Sequence, residues 1–141
     1  MSEDTYPTIL QTVLDCANPR ETAEFYRQLF GLRYRDGDEP PPEGQPDENG
    51  QDWLVLLRPD GRRLLAFGKA DDLAETTWPE PGVPQQMHLD TSVPSAEELE
   101  RQHVRALALG ARLRYDRTDD PDEPLRVYAD PAGHLFCIFV A

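Results

Sequence analysis

A chain of 141 residues, 38% apolar and 29% charged, has room for one compact domain, built on one principal core or on two small half-cores sharing an interface. Its formal charge of −13 excludes a broad basic face, and with it nucleic acid and anionic membrane surfaces as partners. No apolar run approaches the roughly 20 residues that span a bilayer, and two cysteines, Cys16 and Cys137, are too few for a disulfide scaffold.

The start, Met1-Ser2-Glu3-Asp4, has neither a basic stretch nor an apolar one, so a cytoplasmic setting is expected. Ile9 to Cys16 reads as a strand. Pro19 to Leu29 reads as a helix, with Phe25, Tyr26 and Leu29 at helical spacing and Gly31 as its C-cap. Asp36 to Asp52 then holds four prolines and seven carboxylates, a loop expected to form a mobile rim or simply to confer solubility. Trp53–Leu57, the turn Arg58-Pro59-Asp60-Gly61 and Arg62–Phe67 form a hairpin, with proline setting the turn entry and glycine supplying the positive φ. Asp71 to Pro84 is a linker.

Beyond the linker the pattern repeats. Met87 to Val93 is a strand. Ser95 is a helix N-cap with Glu98 as its capping-box partner, and Leu99, Val104, Leu107 and Leu109 supply the apolar positions before Gly110. Asp116 to Pro124 is a second acidic loop with two prolines and five carboxylates. Leu125–Ala129, Asp130-Pro131-Ala132-Gly133 and His134–Phe139 form the second hairpin, whose turn lies 72 residues after the first. The chain therefore reads as α+β: two tandem βαβββ modules, about 6–70 and 85–141, joined by 71–84, with curved mixed sheets and helices on the outer face. Two arginine trios, Arg58, Arg62, Arg63 and Arg112, Arg114, Arg117, read as solvated strand or turn flanks.

Alternate residues of a half-buried strand share a face. In the first strand Leu10 and Leu14 should pack on the helix, leaving Gln11 and Asp15 on the concave side. In the second module Leu89 and Val93 should face the helix, and His88, Asp90 and Ser92 the concave side. Counting four residues past each turn glycine adds Leu65 and Cys137 to that side, followed by Phe67 and Phe139, with Trp53, Val55, Leu125 and Val127 across the hairpins. The expected ligand-binding set is Gln11, Asp15, Trp53, Phe67, Trp78, His88, Asp90, Val127, Cys137 and Phe139: an apolar, aromatic wall with a few orienting polar groups. Trp78 could instead anchor the linker by packing.

These elements, with Ala23-Glu24-Phe25-Tyr26, Leu107-Ala108-Leu109-Gly110-Ala111 and Val127-Tyr128-Ala129-Asp130-Pro131-Ala132-Gly133-His134 in order, resemble the vicinal oxygen chelate superfamily in its glyoxalase/bleomycin-resistance branch. The resemblance implies a homodimer. In enzymes of that family it also implies a divalent metal held by one first-strand and one last-strand residue of each module. Mapped here, those positions are Gln11, Leu65, His88 and Cys137. Leucine cannot ligate, and Cys137 stands where the family has Glu. No cofactor is therefore expected, with Zn²⁺ on the His/Cys/Gln set as the alternative.

Two functions from different classes stay open: a metal-independent protein binding an aromatic or apolar small molecule, and an enzyme, either metal-dependent or using His88 or Asp90 as general base. A Cys137–His88 nucleophilic pair lacks the electropositive setting it needs. His103 is expected to face solvent and His134 to bond backbone.

Overall fold

Local capping sets where both helices begin. Asn18 accepts the Glu21 N–H at 3.2 Å, and Pro19 opens helix α1 (Pro19–Phe30), which Gly31 closes at φ 66°. Ser95 Oγ accepts the Glu98 N–H at 3.1 Å ahead of helix α2 (Ala96–Leu109). Glu98 does not reach back to close a capping box. Its carboxylate instead takes hydrogen bonds from Arg101 and Gln102. With only the Ser95 half of that motif in place, Ser95→Ala should cost about 1 kcal/mol in a urea melt.

The computed structural model describes residues 5–141; Met1–Asp4, on which the reading of the chain's start rests, lie outside them. The first sheet takes β1 (Thr12–Cys16), β2 (Arg33–Tyr34), β3 (Trp53–Leu57) and β4 (Arg63–Lys69) in the order β1-β4-β3-β2. The second takes β5 (His88–Val93), β6 (Arg112–Asp116), β7 (Leu125–Ala129) and β8 (Leu135–Val140) in the order β5-β8-β7-β6. In each sheet the first and last strands are parallel and the remaining pairs antiparallel. This is the tandem βαβββ architecture, with the acidic stretch 36–52 carrying only a short 3₁₀ turn, Asn49–Gln51.

One core joins both halves on the helix side. Phe136 of β8 stacks on Tyr128 at 5.2 Å and meets Phe25, Tyr26 and Phe30 of α1 at 5.8, 6.0 and 6.2 Å. Tyr26 also stacks on Phe67 of β4 at 5.9 Å. Helix α1 therefore packs on both sheets, and burial of these rings adds apolar area that holds the modules together. Helix α2 gives less to it. Leu99 and Ala106, seven residues apart and so on one side, are buried, whereas Val104, about 140° round the helix, is exposed, as is Leu107.

The two hairpins differ in register despite equivalent turns. In the second, pairing runs unbroken from Leu125–Phe139 to Ala129–Leu135. In the first, Leu56 pairs with Leu65 but Leu57 pairs with Arg63, so Leu64 is an extra, bulged residue. One inserted residue sends every later side chain of β4 to the opposite face. Leu65 and Phe67, expected on the concave face, are instead buried in the helix-side core, and Ala66 takes the position that Cys137 holds in the second sheet. Phe67 therefore leaves the ligand-binding set.

The acidic loop 36–52 is pinned rather than free. Arg20 bonds Asp47 at 2.7 Å and the Asp38 carbonyl at 2.7 Å, and buried Asp38 accepts the Val55 N–H. Among the described residues no helix is long and apolar enough to cross a membrane.

Candidate functional site

The concave face of the second sheet forms a cleft of about 380 Å³. Alternation along β7 and β8 points Leu125, Val127, Cys137 and Phe139 into it as a mostly apolar floor. A bulge between Leu113 and Tyr115 turns Tyr115 to the same side, opposite Val127. Tyr115 meets Trp78 edge-on at 5.7 Å, and the two rings make one wall. Arg117 and Glu123, 3.3 Å apart, rim the cleft from the second acidic loop.

Trp78 reaches this wall because the linker is tied down. The Arg114 guanidinium donates to the carbonyls of Thr76 at 2.8 Å and Trp78 at 2.7 Å, and pairs with Glu75 at 3.3 Å. Arg114 is thus not the solvated flank that its sequence suggests; its side chain is only 19% exposed. The linker in turn folds on itself through Thr77, whose backbone N–H bonds the Val83 carbonyl and whose hydroxyl accepts the Val83 N–H.

The polar end of the cleft gathers around one oxygen. Cys137 Sγ donates to Asp90 Oδ1 at 2.8 Å, and His88 Nε2 lies 3.1 Å from the same atom. His88 and Asp90 are half-exposed and available to a ligand, while Cys137 is buried beneath them. Burial, the hydrogen bond to Asp90 and that carboxylate's charge push the Cys137 thiol up to about 12. Cys137 is a thiol that donates, not a thiolate that attacks.

Of the expected set, Trp78, His88, Asp90, Val127, Cys137 and Phe139 come together here. Gln11, Asp15 and Trp53 do not; Asp15 and Trp53 belong to the first sheet, and Gln11 directly precedes its first strand. Trp53 covers Gly68, where an added Cβ would stand 3.3 Å from the indole. The Asp15 carbonyl accepts the His134 ring N–H at 2.6 Å, and Gln11 Oε1 is enclosed without a partner. Tyr115, Arg117, Glu123 and Gln85 also line the cleft and lie outside the expected set. Tyr115 needed the β6 bulge to be known, whereas the acidic loop beside β7 did signal a rim. His103, expected in solvent, is half-buried with Nδ1 2.7 Å from Tyr128 Oη, and its pKa is lowered by burial and by the Arg126 charge.

The donor set does not fit the divalent metal implied by the resemblance. Ala66 stands at the corner opposite Cys137 and Leu65 is in the core, so the last strand of the first sheet offers no ligand. Among the described residues no three His, Cys, Asp or Glu side chains are grouped to hold an ion.

A glyoxalase-like domain model matches residues 11–139. No curated protein matches the chain. Among solved structures it resembles a glyoxalase/bleomycin resistance protein/dioxygenase family enzyme from Burkholderia phytofirmans, with 18% identity over 93% of this chain and 96% of that one and a TM-score of 0.63. The fosfomycin resistance protein FosX from Listeria monocytogenes shares 17% identity over 97% and 95%, with a TM-score of 0.66. Lactoylglutathione lyase from Agrobacterium tumefaciens shares 18% over 98% and 96%, with a TM-score of 0.58. With the family match spanning nearly all of two βαβββ modules, the chain belongs to the glyoxalase-like domain family of the vicinal oxygen chelate superfamily.

Proposed function

We propose that this protein binds a planar aromatic small molecule in the second-sheet cleft, without a metal, and that it does so as a cytoplasmic homodimer. The observation that carries the reading is the composition of the cleft: an apolar floor and the Trp78–Tyr115 wall surround a single polar cluster, His88–Asp90–Cys137. Such a site draws affinity from apolar contact and orientation from few polar groups. The His88–Asp90 contact favours a second reading, in which one of them moves a proton on a bound substrate.

Chelator-treated protein titrated with naphthamide should show saturable quenching of tryptophan fluorescence. The quench should persist in Trp53→Phe and vanish in Trp78→Phe. Absence of saturable quenching, or a stoichiometric divalent metal in the native mass of untagged protein, would overturn the proposal. Turnover lost in His88→Ala with binding retained would establish the second reading instead.

A further inference from the structure

A second, smaller cavity of about 170 Å³ lies where the modules meet, between β1, the start of β5, the linker and the turn after β7. Val13, Leu14, Met87, Leu89 and Leu135 give it apolar walls, with the Tyr26 ring at its side. Most of its polar groups are already engaged: Tyr26 Oη donates to Asp130 at 2.6 Å, and His134 Nε2 donates to the Asp15 carbonyl. Gln85 is different. Its Oε1 is enclosed and accepts nothing, and a buried acceptor left unpaired calls for a donor. The larger share of its lining is apolar, which favours a compact apolar group as its occupant.

Gln85 and His88 line both this cavity and the cleft. From that shared neck we infer that the cavity is a second subsite of the same ligand, and that the ligand has three parts in series. A planar aromatic head lies in the cleft, an N–H or O–H donor meets Gln85 Oε1 at the neck, and a compact apolar tail, about the size of a phenyl ring, fills the cavity. This rests on the cleft reading above and adds the chemical class of the ligand: aryl amides or aryl carbinols carrying a short apolar group.

The two compartments have separate reporters. Met87 is the only methionine besides Met1 and lines the cavity alone, whereas Trp78 lines the cleft alone. Benzene should shift the Met87 methyl NMR signal saturably and leave Trp78 fluorescence unchanged. N-benzylnaphthamide should act on both reporters and bind at least about tenfold tighter than naphthamide, since burying several ring carbons outweighs one tenfold step. Val13→Phe, a change on a half-exposed edge strand that fills the cavity, should remove the Met87 response and the tenfold gain while keeping the naphthamide quench. Gln85→Leu should erase the preference for N-benzylnaphthamide over its N-methylated form, which has no donor. A Met87 signal unmoved by benzene, with the naphthamide quench intact, overturns the cavity inference and spares the cleft. A gain that survives Val13→Phe overturns it as well. A Met87 response without any naphthamide quench overturns the cleft reading, and the composite ligand with it.

Discussion

Alkylation of Cys137 by iodoacetamide near pH 8 should run about 30- to 60-fold slower than that of an ordinary thiol. The thiolate is the reacting species; three pH units separate a thiol at about 12 from the ordinary value of 9.0, a loss of thiolate that the higher nucleophilicity of the more basic anion offsets only about 15- to 30-fold. The sign follows from the cause. Burial and the adjacent Asp90 carboxylate both disfavour the anion, so the rate should climb about tenfold per pH unit through the alkaline range rather than levelling off near 9. Asp90→Asn removes the charge while keeping an acceptor for the S–H, and should speed labelling. Peptide mapping separates Cys137 from Cys16, which is fully buried and raised to about 11. Labelling of Cys137 at the rate of an exposed cysteine would show that its hydrogen bond to Asp90 does not persist, and would reopen nucleophilic chemistry at the cleft.

Asp130→Ala should destabilise the fold by about 3–5 kcal/mol in a denaturant melt. Asp130 is fully buried and takes the Tyr26 hydroxyl at 2.6 Å, the Ala132 N–H at 2.8 Å and the His134 N–H at 3.0 Å, so its loss strands three donors at once. Tyr26→Phe removes one of these bonds and should cost less, about 1–3 kcal/mol, and the two changes should couple in a double-mutant cycle. A pH dependence follows. Burial raises the Asp130 pKa over the opposing hydrogen bonds, so the folded state holds this proton more tightly than the unfolded chain. That contribution is fully present below the unfolded value of 3.8 and is lost as pH rises through the folded one. Asp130→Asn cannot titrate, so its deficit against the native protein should be larger at about pH 4 than at neutral pH. An equal deficit at both would mean that Asp130 has the same proton affinity in both states.

The Tyr26–Asp130 bond also links the two halves. It ties α1 of the first module to the hairpin turn of the second across 104 residues, beside the Phe136 ring cluster. The cleft lies on the other face of that same second sheet. Packing of the shared core therefore holds rigid the strands from which His88, Asp90 and Cys137 project.

Periodicity and turn chemistry were enough to reveal the repeat, both helices with the Gly31, Ser95 and Gly110 caps though not Asn18, and the face of the second sheet. There the hairpin is regular, so two-residue alternation carries unbroken from the turn glycine to Cys137 and Phe139. The first hairpin has the same turn but one bulged residue, and nothing in Arg62-Arg63-Leu64-Leu65 marks which of four residues is skipped. Leu65 and Phe67 were misplaced for that reason alone: alternation fixes sides only relative to a register, and register is settled by which face can be buried. The same limit applies to Arg114, whose partners Thr76 and Trp78 lie 38 and 36 residues away. Local pattern thus determined the order of the elements and part of the lining of the cleft. The bulge, the pinned linker that brings Trp78 to Tyr115, and the cavity between the modules depend on contacts between distant segments, whose energies exist only once the chain has folded around a common core.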